Sequence, residues 1–276
     1  MYQHSHCPEF VVSFGMENEL TTAMEAAKAA GKILCSYFKA DYEIKDKGFH
    51  NPVTTADYAS NQYLEEHLRE AFPEYGWLSE ETVDNDERLD RERVWVVDPL
   101  DGTKEFIEGL PQFVVSIALV ENGEPMLGVL HNPATSETFS AVRGQGATLN
   151  NQSIKASDVE RLDQATIFNS RSETRRGLWK AYKSHFQELK PIGSVAYKLG
   201  LTAARRADMF ATLRPKNEWD VCAGHVILRE AGAELRVLNG HDHSYNRRRV
   251  VIKPGLVAGN PALVKAFLEL YQARKR

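Results

Sequence analysis

Residues 94–106, VWVVDPLDGTKEF, restrict the fold of this chain more than any other stretch. Val94, Trp95, Val96 and Val97 are β-branched or aromatic and run without polar alternation, the pattern of a strand buried on both faces. Asp98 follows at its end. Pro99 lacks an N–H and cannot extend a central strand, while Gly102 tolerates backbone angles that other residues avoid. Leu100 to Thr103 are therefore expected to turn sharply and aim Asp98 and Asp101 at one point. Two converging carboxylates call for a cation. Oxygen ligands with no His or Cys beside them suit magnesium or manganese better than zinc. Taken alone, the same residues also fit a strand followed by an acidic turn that Asp101 caps.

Phosphatases that form an aspartyl-phosphate also carry an Asp close before Asp-Gly-Thr, with one residue between the two aspartates. Here Pro99 and Leu100 both intervene, a spacing better suited to clamping a metal than to a covalent intermediate.

The rest of the chain sets the frame. At 276 residues, 42% hydrophobic and 26% charged, it can form one large domain or two closely packed halves. We divide it into an N-terminal arm at 1–15, an α+β half at 16–160 and an α/β half at 161–276. A net charge of −4 leaves no footprint for a nucleic-acid polymer. No apolar run approaches the roughly 20 residues of a membrane span, and the first fifteen residues lack the pattern of a signal peptide. Cys7, Cys35 and Cys222 are widely spaced and odd in number, which fits free thiols in a reducing cytoplasm.

Apolar spacing predicts a long helix from Glu17 to about Phe38, a short strand at 42–47 and a loop at 48–55. A second helix follows, started by Thr54, Thr55 or Asp57 and presenting Tyr58, Leu64, Leu68 and Phe72; Pro73 stops it. Glu80 and Glu81 end a short strand. Strands at 113–120 and 126–130 join through the hairpin signal Glu121-Asn122-Gly123-Glu124, and further strands at 138–142 and 147–149 complete a meander. The second half reads as strand 166–169, helix 173–186, helix 195–206, strand 208–212, helix 220–231, strands 234–238 and 256–258, and a last helix started by Asn260-Pro261. Asp220 stands in NEWDVCAGH at a helix start, where an acid also fits simple dipole capping.

In that order and spacing, Asp57, Glu80-Glu81, DPLDGT at 98–103 and WD at 219–220 resemble the magnesium-dependent phosphomonoesterase superfamily of inositol monophosphatase, fructose-1,6-bisphosphatase and bisphosphate nucleotidase. The resemblance implies a layered αβαβα sandwich of mixed α+β and α/β character. It also implies phosphate hydrolysis by metal-activated water, lithium inhibition and a small-molecule phosphate ester as partner. Two or three Mg2+ ions are implied, with Mn2+ as a substitute. Glu80, Asp98 and the carbonyl of Leu100 would hold the first ion, Asp98, Asp101 and Asp220 the second, and Glu80 would help a third. Thr103 would bond the attacking water with Asp57 as base, and the amides of Gly102 and Thr103 would face the phosphate.

Inositol monophosphatases usually continue the Asp-Gly-Thr with Thr-Asn, whereas Lys104-Glu105-Phe106-Ile107 resembles the 3′(2′),5′-bisphosphate nucleotidases. A second phosphate would need cations, and Lys104, Arg171, Lys198, Arg214 and Lys216 are available. Glu218 would face the leaving group and would suit a hydroxyl-rich sugar or inositol. The three readings are a nucleotidase, an inositol monophosphatase or other small sugar or polyol phosphate phosphatase, and a non-catalytic nucleotide-binding scaffold. Relatives of the inositol type often dimerise, and nucleotidases are often monomeric.

Overall fold

A computed structural model describes residues 15–46 and 52–274. Most of the arm expected at 1–15, residues 48–51 of the expected loop, and Cys7 lie outside that range. The long helix α1 (Glu17–Tyr37) is built on Ala23, Ala26, Ala27, Ala30 and Leu34, all buried. Gly31 inside it permits a close approach: a Cβ there would lie 2.6 Å from the His131 ring.

The strands β1 (Ile44–Asp46) and β2 (Pro52–Thr54) pair antiparallel, so the end of the expected loop is extended backbone. Helix α2 (Thr55–Ala71) follows, with Thr54 as N-cap and Asp57 closing a capping box. Leu64, Leu68 and Phe72 are buried as expected. Tyr58 is not part of that face; it is 44% exposed.

A seven-stranded sheet comes next: β3 (Gly76–Ser79), β4 (Arg93–Asp101), then, after the short helix α3 (Thr103–Ile107), β5 (Val114–Glu121), β6 (Glu124–Asn132), β7 (Glu137–Val142), β8 (Ala147–Leu149) and β9 (Gln152–Ile154). Sheet order follows sequence order; β3 and β4 are parallel and the remaining pairs antiparallel. The meander and its hairpin form as the sequence predicts, with Asn122 at φ 51° and Gly123 at φ 83°. One expectation fails in β4, which continues through Pro99 to Asp101. Its register against β5 shifts between Asp98 and Asp101, so the proline sits in a bulge, where a missing N–H is tolerated. The turn itself falls on Gly102, at φ 106°.

The second half begins with β10 (Thr166–Ser170), α4 (Arg171–Arg175), β11 (Glu188–Ile192), α5 (Val195–Ala203), β12 (Met209–Thr212) and β13 (Lys216–Asn217). It ends with α6 (Glu218–Glu230), β14 (Glu234–Val237), β15 (Val251–Ile252), β16 (Leu256–Gly259) and α7 (Pro261–Ala273). The helix expected at 173–186 shrinks to α4. Gly177 at φ 74° ends its continuation, and Trp179, Tyr182 and Phe186 pack individually around Phe267. The edge strand β11 was not foreseen. Asn260 caps α7 by accepting from Ala262 N at 2.8 Å.

Three apolar cores stack these elements. One face of the large sheet, with Trp95, Val97 and Ile117, packs on α1 and α2; Val94, Val96 and Ala118 on its other face meet α5 and α6. The far side of α5 and α6 covers Phe168, Phe210 and Ala258 of the five-stranded sheet β11-β10-β12-β16-β14, whose other face packs on α7. The result is the αβαβα sandwich. Among the described residues no helix is long and apolar enough to cross a membrane. The ends of β3 and β4 and the starts of α2, α5 and α6 converge at one edge of the layers.

Candidate active site

At that edge, ligand-capable oxygens of Glu80, Asp98 and Asp220 lie within 4.8 Å of one another. Three full charges so close would repel by about 3–4 kcal/mol per pair at an effective dielectric near 20. Asp98 is buried; its Oδ1 accepts from Leu100 N at 3.0 Å, while its Oδ2 is buried without a hydrogen-bond partner. Burial first, then the charges of Glu80, Asp101 and Asp220, push its carboxyl well above the usual range. Asp220 sits in the first turn of α6, where its Oδ2 accepts from Asn217 N at 2.9 Å. Burial and then Asp101 push it up to about 7. An orphaned buried carboxylate oxygen inside an all-oxygen cluster fits a hard divalent cation.

Asp101 is the neighbour of this group rather than a member of it. Its Oδ2 accepts from the Ser194 hydroxyl and from Ala196 N, both at 2.6 Å. Burial raises its pKa against the pull of these bonds and of Lys198. The two aspartates of the DPLD turn line the same cavity, and the charge of Asp101 helps to raise Asp98, but only Asp98 belongs to the closest trio. Ser194, at φ 55°, caps α5 and links that helix to Asp101. The sequence marks it only as a serine before an apolar run, an N-cap signature.

Thr103 Oγ1 lies 3.0 Å from Asp57 Oδ1 and 3.1 Å from the Leu100 carbonyl, either of which can accept its single proton. Burial, opposed by bonds from Thr54 and Thr103 and reinforced by Glu81, raises Asp57 to about 6. A carboxylate in that range, joined to a hydroxyl facing the cluster, is suited to taking a proton near neutral pH.

A cavity of about 300 Å³ opens over these groups. Glu80, Asp98, Asp101, Gly102, Thr103 and Asp220 line it, as do Lys104, Arg171, Arg175, Lys198 and Lys216. Lys104 is exposed at the rim. Arg171 is held by Glu105 at 2.7 Å and Glu108 at 2.5 Å. Lys198 is buried, donates to the carbonyls of Ile192 and Gly193 at 3.1 and 3.2 Å, and is lowered to about 8 chiefly by burial. Arg175 and Asn217 also line the cavity and went unrecognised in the sequence, because neither belongs to a motif. Glu218 requires a correction. It is fully buried, does not line the cavity, and turns its carboxylate to Asn246 N, Arg247 N and His243. A leaving group does not reach it.

The layered fold and the acid cluster at its edge define a phosphatase of the metal-dependent sandwich class. Known proteins make the assignment specific. Tomato (Solanum lycopersicum) "Inositol monophosphatase 3" is 34% identical over 92% of this chain and 96% of its own. The "Nus factor SuhB" of Escherichia coli K12 is 34% identical over 95% of this chain and the whole of its own. An IMPase structure from Thermotoga maritima superposes with a TM-score of 0.83 at 27% identity, over 93% of this chain and 97% of that one. The model of the inositol monophosphatase family matches residues 16–275, and the chain belongs to that family.

Proposed function

We propose that this protein is a 3′(2′),5′-bisphosphate nucleotidase that hydrolyses 3′-phosphoadenosine 5′-phosphate to AMP and phosphate. The observation that carries the reading is the cavity itself, where Lys104, Arg171, Arg175, Lys198 and Lys216 share the lining with the acids. One phosphate at the acid cluster leaves Lys104, Arg171, Arg175 and Lys216 for a second. Glu80, Asp98, Asp101, Asp220 and the Leu100 carbonyl would hold Mg2+ or Mn2+. The chemistry such ions supply when bound is charge neutralisation at the phosphoryl group and a lower pKa for water.

The protein's own residues do the rest. Thr103 orients the attacking water, and Asp57 takes the proton that Thr103 passes on. The amides of Gly102 and Thr103 face the phosphoryl oxygens. Lys198, beside Asp101, adds positive charge where the product phosphate gathers negative charge.

The second reading, inositol monophosphatase, is favoured by the name of the tomato relative. Phosphate release with Mg2+ decides between them, using 3′-phosphoadenosine 5′-phosphate, inositol 1-phosphate and fructose 1,6-bisphosphate. Preference for the first supports the nucleotidase. Preference for inositol 1-phosphate overturns it and keeps the metal site, whereas silence on every substrate, with nucleotide still bound, supports a scaffold.

A further inference from the structure

Two of the three clustered acids sit on segments far apart in sequence, and their like charges push those segments apart. Glu80 directly follows β3, whose Gly76 packs on Arg88: a Cβ there would lie 3.0 Å from Arg88 Cβ. Asp220 lies two residues after Glu218 in α6. The segment at residues 243–248 is bonded both to Arg88, beside β3, and to Glu218 of α6. Fully buried Glu218 accepts from Asn246 N at 2.7 Å and Arg247 N at 3.2 Å, lies 3.2 Å from His243 Nε2, and donates its own N–H to the Val250 carbonyl at 2.9 Å.

On the other side, Arg88 is 1% exposed and forks onto Asp84. It also reaches Asn246 Oδ1 at 2.6 Å and the Arg247 carbonyl at 3.0 Å. Asn246 Nδ2 returns a bond to the Arg88 carbonyl at 3.2 Å. Asn246 is therefore a hub, with its amide on Glu218 and its side chain on Arg88. It holds φ 57°, which asparagine tolerates better than most residues.

We propose that Arg88, Asn246 and Glu218 form a tie that fixes the separation of Glu80 and Asp220, and so act as positioning residues for a divalent cation. The proposal rests on the cation reading of the acid cluster. None of the three lines the cavity, so none is placed against an ion or a substrate. Arg88, paired with Asp84, and buried Glu218 both place further hydrogen bonds on this one strap, and buried charged groups are costly to keep unless what they hold must be held.

Asn246→Gly tests the tie, because glycine accepts the positive φ while both side-chain bonds to Arg88 are lost. Direct titration of the purified protein with Mn2+ is expected to show a dissociation constant raised about tenfold, the scale on which supporting partners of metal ligands act. Phosphate release at saturating Mg2+ stays near that of the unaltered protein. Arg88→Lys, which keeps the charge and loses the fork, is measured beside it and is expected to shift the constant in the same direction. A folded variant of either kind with a lower melting temperature and an unchanged Mn2+ constant overturns the proposal. Asp98→Asn is titrated in parallel: if it binds Mn2+ like the unaltered protein, the cation reading itself falls, and the proposal with it.

Discussion

Each acid of the site is held by a local device. Asp98 is presented at the bulge of the buried strand β4, Asp220 by a capping box, and Asp57 by a capping box whose N-cap threonine binds it twice. Asp98→Asn should fold, because an amide fills the same space, and should lose both cation binding and turnover. Near-native turnover would sink the assignment. Thr103→Val removes the hydroxyl next to Asp57 at nearly constant volume. It should lower kcat by about 10²-fold or more, the typical worth of a positioned proton acceptor, and leave Mn2+ affinity unchanged. A loss confined to KM would show that Thr103 only binds substrate. The acids were legible in the sequence because their spacing is unusual. Glu218 was misread because its partners, Asn246 and Arg247, come from a segment that no local pattern connects to it; the ties of Arg171 to Glu105 and Glu108 were invisible for the same reason.

Among the elements, strongly periodic segments follow the sequence and compromised ones do not. The helix α1, the meander and the capped α7 needed only apolar spacing and turn residues. The expected helix over 173–186 yields to tertiary demands. Glu173 is buried and accepts from Trp179 Nε1, Thr212 Oγ1 and Leu213 N, a network no helical period encodes. Close packing between layers is likewise invisible to periodicity. A Cβ on Gly128 of β6 would lie 2.4 Å from the Ala223 carbonyl of α6, so this helix rests directly on the sheet that carries Asp98. Gly128→Ala should destabilise the protein by about 1–3 kcal/mol through overpacking. Thermal melting checks this, and an unchanged melting temperature would show that α6 can withdraw from the sheet without cost.

For the whole molecule, the acid cluster makes stability depend on pH and on divalent cations together. Asp57 and Asp220, raised to about 6 and about 7, bind protons more tightly folded than unfolded, where aspartate titrates near 4. Their stabilising contribution is complete below about pH 4 and is lost as pH rises through 6 and 7. His131 and His225, lowered to about 4 and about 3 chiefly by burial, act oppositely and cost stability as pH falls below about 6.5. Comparing melting temperatures with and without Mg2+ at each pH cancels the histidines. The gain from Mg2+ should be clearly larger at about pH 8 than at about pH 5. Equal gains at both would mean that Asp220 does not hold the ion.

The acids also come from both halves of the chain. Asp57, Glu80, Asp98 and Asp101 all precede Gly102, whereas Asp220 belongs to the helix layer between the two sheets. Translation delivers them in that order. A ribosome has exposed the first four while the last is still unmade, so the trio of Glu80, Asp98 and Asp220 cannot exist on a half-finished chain. The acid cluster is thereby completed only once α6 has been made.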